Sequence, residues 1–159
     1  MTMQAVTQRV PPIHQNFTQH RVEVSVKIPA DIRRIFNALT IAEYLEAWLC
    51  FPDCDPFSSV LVSQTQRGFD INLTLAYRRT PSLKIHAVYL TREPHEVAFT
   101  WVKQPASPKS ETTVIVDLNG THSSTSLHLS HAGFLNSGDR RWHEDTWRAS
   151  LEKLCRVVC

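Results

Sequence analysis

The sequence predicts an α+β fold in which a curved antiparallel sheet of about seven strands wraps around one long C-terminal helix, with two short helices after the first strand. Three observations predict it. The run Thr125-Ser126-Leu127-His128-Leu129-Ser130-His131 alternates as a strand and leads into Ala132-Gly133-Phe134. A helix then opens near Asp139 and sets Trp147, Leu151, Leu154 and Val158 on one stripe, at spacings of four, three and four. Upstream, a strand and two short amphipathic helices precede a series of strands whose inner face is the one apolar surface offered to that stripe.

The elements follow in order. Residues 1–19 are rich in Gln, Thr and Pro, lack apolar periodicity, and read as a flexible arm ahead of a single domain over residues 20–159. Arg21 to Ile28 alternates strictly, with Val22, Val24, Val26 and Ile28 on one face, as a strand with one wet and one buried side does. Pro29 stops it, and Ala30-Asp31 opens a helix to about Leu39 with Ile32, Ile35, Phe36 and Leu39 on one face. Thr40, with Glu43 three residues on, reads as a capping box for a second helix, Ile41 to Leu49. A loop, Cys50 to Ser59, precedes the strands Val60–Thr65, Phe69–Tyr77, Leu83–Thr91, Glu96–Lys103, Glu111–Asn119 and Ser124–His131. Turn signals stand at Gly68, Pro94 and Asn119-Gly120, and the last helix is expected from about Gly138 to Val157.

Composition bounds the function. The 159 residues are 42% apolar and 20% charged, with a net charge of +2, which is the composition of a globular domain. The charge is too small and too dispersed for nucleic acid: Arg33-Arg34, Arg78-Arg79 and Arg140-Arg141 lie on three separate segments. No apolar run approaches the ~20 residues of a membrane span, and no basic-then-apolar leader opens the chain, so a cytoplasmic location is the default. With four glycines, no phosphate-cradling loop or dinucleotide fingerprint is present. Cys50, Cys54, Cys155 and Cys159 form two pairs of equal spacing. Their spacing is not the knuckle type that structural zinc prefers, and small apolar side chains in a reducing compartment are the favoured reading. No metal or cofactor is expected.

Four stretches together resemble the helix-grip fold of the START-like (SRPBCC) superfamily, and within it the branch named after the activator of heat-shock-protein-90 ATPase. They are Pro29 to Trp48; Glu96-Val97-Ala98-Phe99-Thr100-Trp101; Gly120-Thr121 through Leu127 to Phe134; and Thr146-Trp147 with Leu151-Glu152-Lys153-Leu154. The likeness covers about residues 21 to 158. Two positions depart from the family pattern: Arg67-Gly68-Phe69 stands where a double glycine is common, and Thr146 where Gly often precedes the helix Trp. The resemblance implies a fold, and a range of roles from binding apolar small molecules to cyclisation and chaperone activation.

A helix laid across a curved sheet leaves space for a ligand at one end. The residues expected to line it are Trp48, Phe69, Ile71, Leu73, Tyr77, Phe99, Trp101, Val116, Leu129, Trp147 and Leu151, with His131, on the parity of Leu127 and Leu129, either pointing inward or sitting at the strand's end. Each of them also has a plain packing role. Trp142 lies off the Trp147 stripe and reads either as a cover for the cavity mouth or as an exposed contact for a partner. His128 and Asp117 fall on wet parities, and the facing of His86 and Tyr89 is left open. No Ser–His–acid set is placed by spacing, so no catalytic residue is named. The expected function is binding of a small apolar or aromatic molecule between sheet and helix, by a monomer or homodimer. The alternatives are a protein-interaction or co-chaperone-like module, and a cyclase or lyase using an inward His or Tyr.

Overall fold

The computed structural model describes residues 20–51, 59–64, 70–76, 83–105 and 110–159. Strand β1 (Arg21–Ile28) is followed by helices α1 (Ile32–Thr40) and α2 (Ala42–Trp48). Strands β2 (Ser59–Gln64), β3 (Asp70–Ala76), β4 (Leu83–Glu93), β5 (Glu96–Lys103), β6 (Thr112–Gly120) and β7 (Thr125–Ala132) come next, and helix α3 (Ser137–Val158) ends the chain. The sheet order is β1-β7-β6-β5-β4-β3-β2, every pair antiparallel. A meander thus returns its last strand to the side of the first. This is the helix-grip α+β architecture. The expected arm 1–19, the Gly68 turn, Phe69, Tyr77 and Cys54 lie outside the described residues.

Parity decides which side chains meet the helix. Val22, Val24 and Ile28 of β1, Ile71, Leu73 and Leu75 of β3, and Ile85, Ala87 and Tyr89 of β4 are buried. So are Val97, Phe99 and Trp101 of β5, Val114, Val116 and Leu118 of β6, and Leu127, Leu129 and His131 of β7. On α3 the buried stripe is Trp147, Leu151, Leu154 and Val158, joined by His143, Thr146 and Ser150. Three of those seven are polar, and each is bonded. Thr146 Oγ1 donates to the Trp142 carbonyl at 2.8 Å. Ser150 Oγ donates to the Cys50 carbonyl and accepts from the Cys50 N–H, both at 2.9 Å, so the helix is tied to the segment after α2.

The helix ends follow capping chemistry. Asp31 caps α1 by accepting from Arg33 N at 2.8 Å. Asn136 caps α3 by accepting from Asp139 N at 2.8 Å, and Gly133 (φ 105°) supplies the left-handed backbone that turns β7 toward it. Two turn expectations are corrected. Thr40 closes α1 instead of capping α2: its hydroxyl donates back to the Phe36 carbonyl at 2.8 Å, and Ile41 precedes α2 with no side-chain cap. The β6–β7 turn is Thr121–Ser124, closed by Thr121 N to Ser124 O at 2.9 Å, while Asn119 and Gly120 still pair within the ladder. Gly120 is needed there because a Cβ would lie 2.6 Å from Thr125 Cα and collide with the Ser124 carbonyl.

Strand β4 settles its own facing. Ile85, Ala87 and Tyr89 point inward, and a bulge between Tyr89 and Thr91 leaves Leu90 exposed. The free edge at β2 is partly covered by α2, whose Glu46 Oε1 accepts from Val62 N at 2.7 Å.

Candidate functional site

The interior between sheet and helix is filled. Trp48, Ile71, Leu73, Phe99, Trp101, Val116, Leu129 and Trp147, all expected liners, surround one common space, together with Tyr89 and three leucines of the α1–α2 region. The volume left there is about 10 Å³, at the lower limit for a single water. Leu151 is buried on the helix stripe outside that lining. Phe69 and Tyr77 lie outside the described residues.

Polar bonds hold the aromatic groups in place. Trp48 Nε1 donates to the Ala38 carbonyl at 2.7 Å, and Tyr89 Oη donates to the Leu39 carbonyl at 2.9 Å. Burial pushes the Tyr89 phenol up to about 12, against the pull of Arg92. The indole N–H of Trp147 donates to His131 Nδ1 at 2.9 Å. An indole can only donate, so Nδ1 of His131 is bare and Nε2 carries the proton. That proton faces Thr112 Oγ1 at 2.7 Å, and the threonine hydroxyl donates onward to the Trp101 carbonyl at 2.9 Å.

A second chain runs beside the first. Trp101 Nε1 donates to His143 Nε2 at 3.1 Å, which leaves the His143 proton on Nδ1, 2.7 Å from the Asp139 carbonyl. The two imidazoles take opposite tautomers, and their rings stand edge to face with centroids 4.9 Å apart. Burial holds His131 well below the usual histidine range, and His143 and Lys103 push it the same way. Burial lowers His143 to about 4, with the bond to the Asp139 carbonyl acting in the opposite direction. Both rings are therefore neutral at pH 7, and each joins helix to sheet through one nitrogen and bonds within its own layer through the other.

These groups floor a pocket of about 130 Å³ at the start of α3. Trp101, Phe134 and His143 form its base, and Lys103, Asn136 and Asp139 stand at its rim. Lys103 Nζ lies 3.3 Å from Asp139 Oδ1 and 4.5 Å from the centre of the Trp142 ring. Trp142 is half-buried and packs on Phe51 with centroids 5.5 Å apart, so it covers this end of the aromatic cluster. His86 points outward, 3.1 Å from Asp70 Oδ2.

Sequence reasoning missed His143, Thr112 and Lys103. The signal for His143 was present: it stands four residues before Trp147 on the buried stripe. Thr112 shares the parity of Val114 and Val116. Cys50, Cys155 and Cys159 are free thiols. Among the described residues no three His, Cys, Asp or Glu side chains are placed to hold a metal, and no helix is long and apolar enough to cross a membrane.

Solved structures share this architecture. Protein CV1439 from Chromobacterium violaceum superposes with a TM-score of 0.72 at 15% identity, over 87% of this chain and 97% of that one. A protein from Arthrobacter aurescens gives 0.70 at 14% identity, over 89% and 87%. DynU16, from the dynemicin biosynthetic locus, gives 0.59 at 17% identity, over 86% of this chain and 46% of its own. At such identities the likeness concerns the fold. No curated protein matches the chain. The family model described as Activator of Hsp90 ATPase homolog 1-like protein matches residues 29–158, which takes in every element from the approach to α1 through the gripped helix, and the chain belongs to that family.

Proposed function

We propose that this protein binds a small aromatic or apolar molecule, about one ring in size, with the ring against Trp101 at the open end between α3 and the sheet. The carrying observation is the pocket of about 130 Å³ floored by Trp101, Phe134 and His143. An apolar cavity of about 150 Å³ is enough for benzene. The family's fold commonly binds ligands in a cavity. With the deep interior closed to about 10 Å³, the end pocket is the space between α3 and the sheet that the described residues leave open, and a larger apolar ligand requires the Trp48–Trp147 region to open.

The other readings have less behind them. A lyase or cyclase needs an inward group free to take a proton. His131 and His143 use both nitrogens, and the Tyr89 hydroxyl is bonded to a carbonyl. A protein-docking role calls for a contiguous apolar patch, whereas among the described residues the exposed apolar side chains are the Ile41 and Tyr44 pair at α2 and single residues on β2, β4, β6, the segment before α3 and the end of α3.

The test is a panel of single-ring compounds (phenol, benzoate, aniline, indole) followed by thermal shift and tryptophan fluorescence. A saturable change in both with at least one of them is expected. A panel that leaves both signals unchanged up to millimolar concentration overturns the proposal.

A further inference from the structure

We propose that the outer face of the sheet carries an acyl-transfer site, with Ser25 as nucleophile and His128 as its base. It lies on the opposite side of the sheet from the helix and is independent of the ligand reading above. No spacing in the chain reveals it, because Ser25 and His128 are 103 residues apart. The sheet register assembles it. Ser25 of β1 pairs with His128 of β7, and His128 pairs with Asp117 of β6, so the three side chains form one row across adjacent strands, with the imidazole in the middle. Ser25 Oγ lies 2.7 Å from His128 Nδ1, hydrogen-bond distance for a hydroxyl donating to a neutral ring.

The row has a setting. Two residues along each strand, on the same face, stand Lys27, Ser126 and Asn119, which are also in register with one another. The two rows line an open groove of about 390 Å³. Lys27, two residues along β1 from Ser25 on the same face, offers N–H donors, the kind of group that stabilises charge developing on a carbonyl oxygen. The groove is wide and shallow, so the substrate class is a small, reactive carboxylic ester.

The step is balanced by these groups and water. Ser25 Oγ attacks the ester carbonyl carbon while His128 Nδ1 takes the hydroxyl proton. The tetrahedral adduct collapses, the C–O bond to the leaving group breaks, and His128 returns the proton to the departing alkoxide. Water, deprotonated by His128, then attacks the serine ester, releasing the carboxylic acid and restoring the Ser25 hydroxyl.

Two probes on the full chain test this: a fluorophosphonate, and hydrolysis of p-nitrophenyl acetate. Expected are a single phosphonyl adduct mapped to Ser25 by peptide mass spectrometry, and saturable hydrolysis. Ser25→Ala abolishes both. His128→Ala lowers the hydrolysis rate about 100-fold, with its thermal midpoint unchanged. Absence of an adduct at Ser25, or hydrolysis by Ser25→Ala at the wild-type rate, overturns the proposal. A wild-type rate in His128→Ala removes the histidine from it.

Discussion

Acid should loosen the grip of the sheet on α3, and the size of the effect follows from the two buried imidazoles. In the folded protein His143 titrates at about 4 instead of the ordinary 6.5, and burial moves His131 in the same direction. Between those values the unfolded chain binds protons that the folded chain refuses. Stability is therefore full above pH 6.5, falls as the pH drops through the window, and levels off for His143 near pH 4. The His143 displacement alone corresponds to about 3 kcal/mol across the window, and His131 adds to it. Against a typical total of about 5–15 kcal/mol, that loss is large. Glu144, held below its ordinary value mainly by its bonds to Arg148 and Arg140, contributes stability that is lost only at lower pH, as it falls through the depressed value. The assay is urea unfolding followed by far-ultraviolet circular dichroism at half-unit steps from pH 8 to 4.5. The control is His143→Gln, whose amide can still accept from the Trp101 indole but does not titrate. The wild type should lose about 2–3 kcal/mol more than the variant between pH 6.5 and 4.5. Parallel pH profiles for the two proteins would refute the account of His143 as a neutral, buried link.

Other perturbations test the packing. Leu154→Ala, at a fully buried position of the α3 stripe, should cost about 2–5 kcal/mol in denaturant unfolding, whereas Glu152→Ala on the solvent side should cost under about 1 kcal/mol. Gly120→Ala should destabilise by about 1–3 kcal/mol, because its Cβ would meet the Ser124 carbonyl and Thr125 Cα. Alkaline spectrophotometric titration should show a tyrosine ionising near 12 that disappears in Tyr89→Phe.

The fold was legible because its strands announce their inner face. Val22, Val24 and Ile28, or Val97, Phe99 and Trp101, alternate without interruption, and parity alone assigns them to the core. In β4 Leu83, Ile85 and Ala87 on one parity compete with Val88 and Leu90 on the other, so the buried set, Ile85, Ala87 and Tyr89, was ambiguous until neighbouring strands fixed it. Thr40 carried a cap signature, yet a threonine hydroxyl can equally bond the carbonyl four residues back, and here it does. The expected liners were largely brought together, but their volumes, which alternation does not reveal, fill the space they enclose. His143 escaped because helical periodicity was followed through apolar residues, while part of the buried stripe is polar and satisfied by bonds from other elements. The Ser25–His128–Asp117 row escaped for a different reason: it depends on register across three strands distant in sequence.

The most direct measurement is a ¹H–¹⁵N correlation spectrum of the indole N–H groups during titration with a bound single-ring compound. The chain has four tryptophans, and two of them, Trp101 and Trp142, stand at the end pocket or against its Lys103. The account predicts saturable shifts of those two resonances while Trp48, bonded to the Ala38 carbonyl and outside the lining of the end pocket, stays in place. Movement of Trp48 with Trp101 unshifted would contradict it and put the ligand in the deep interior instead.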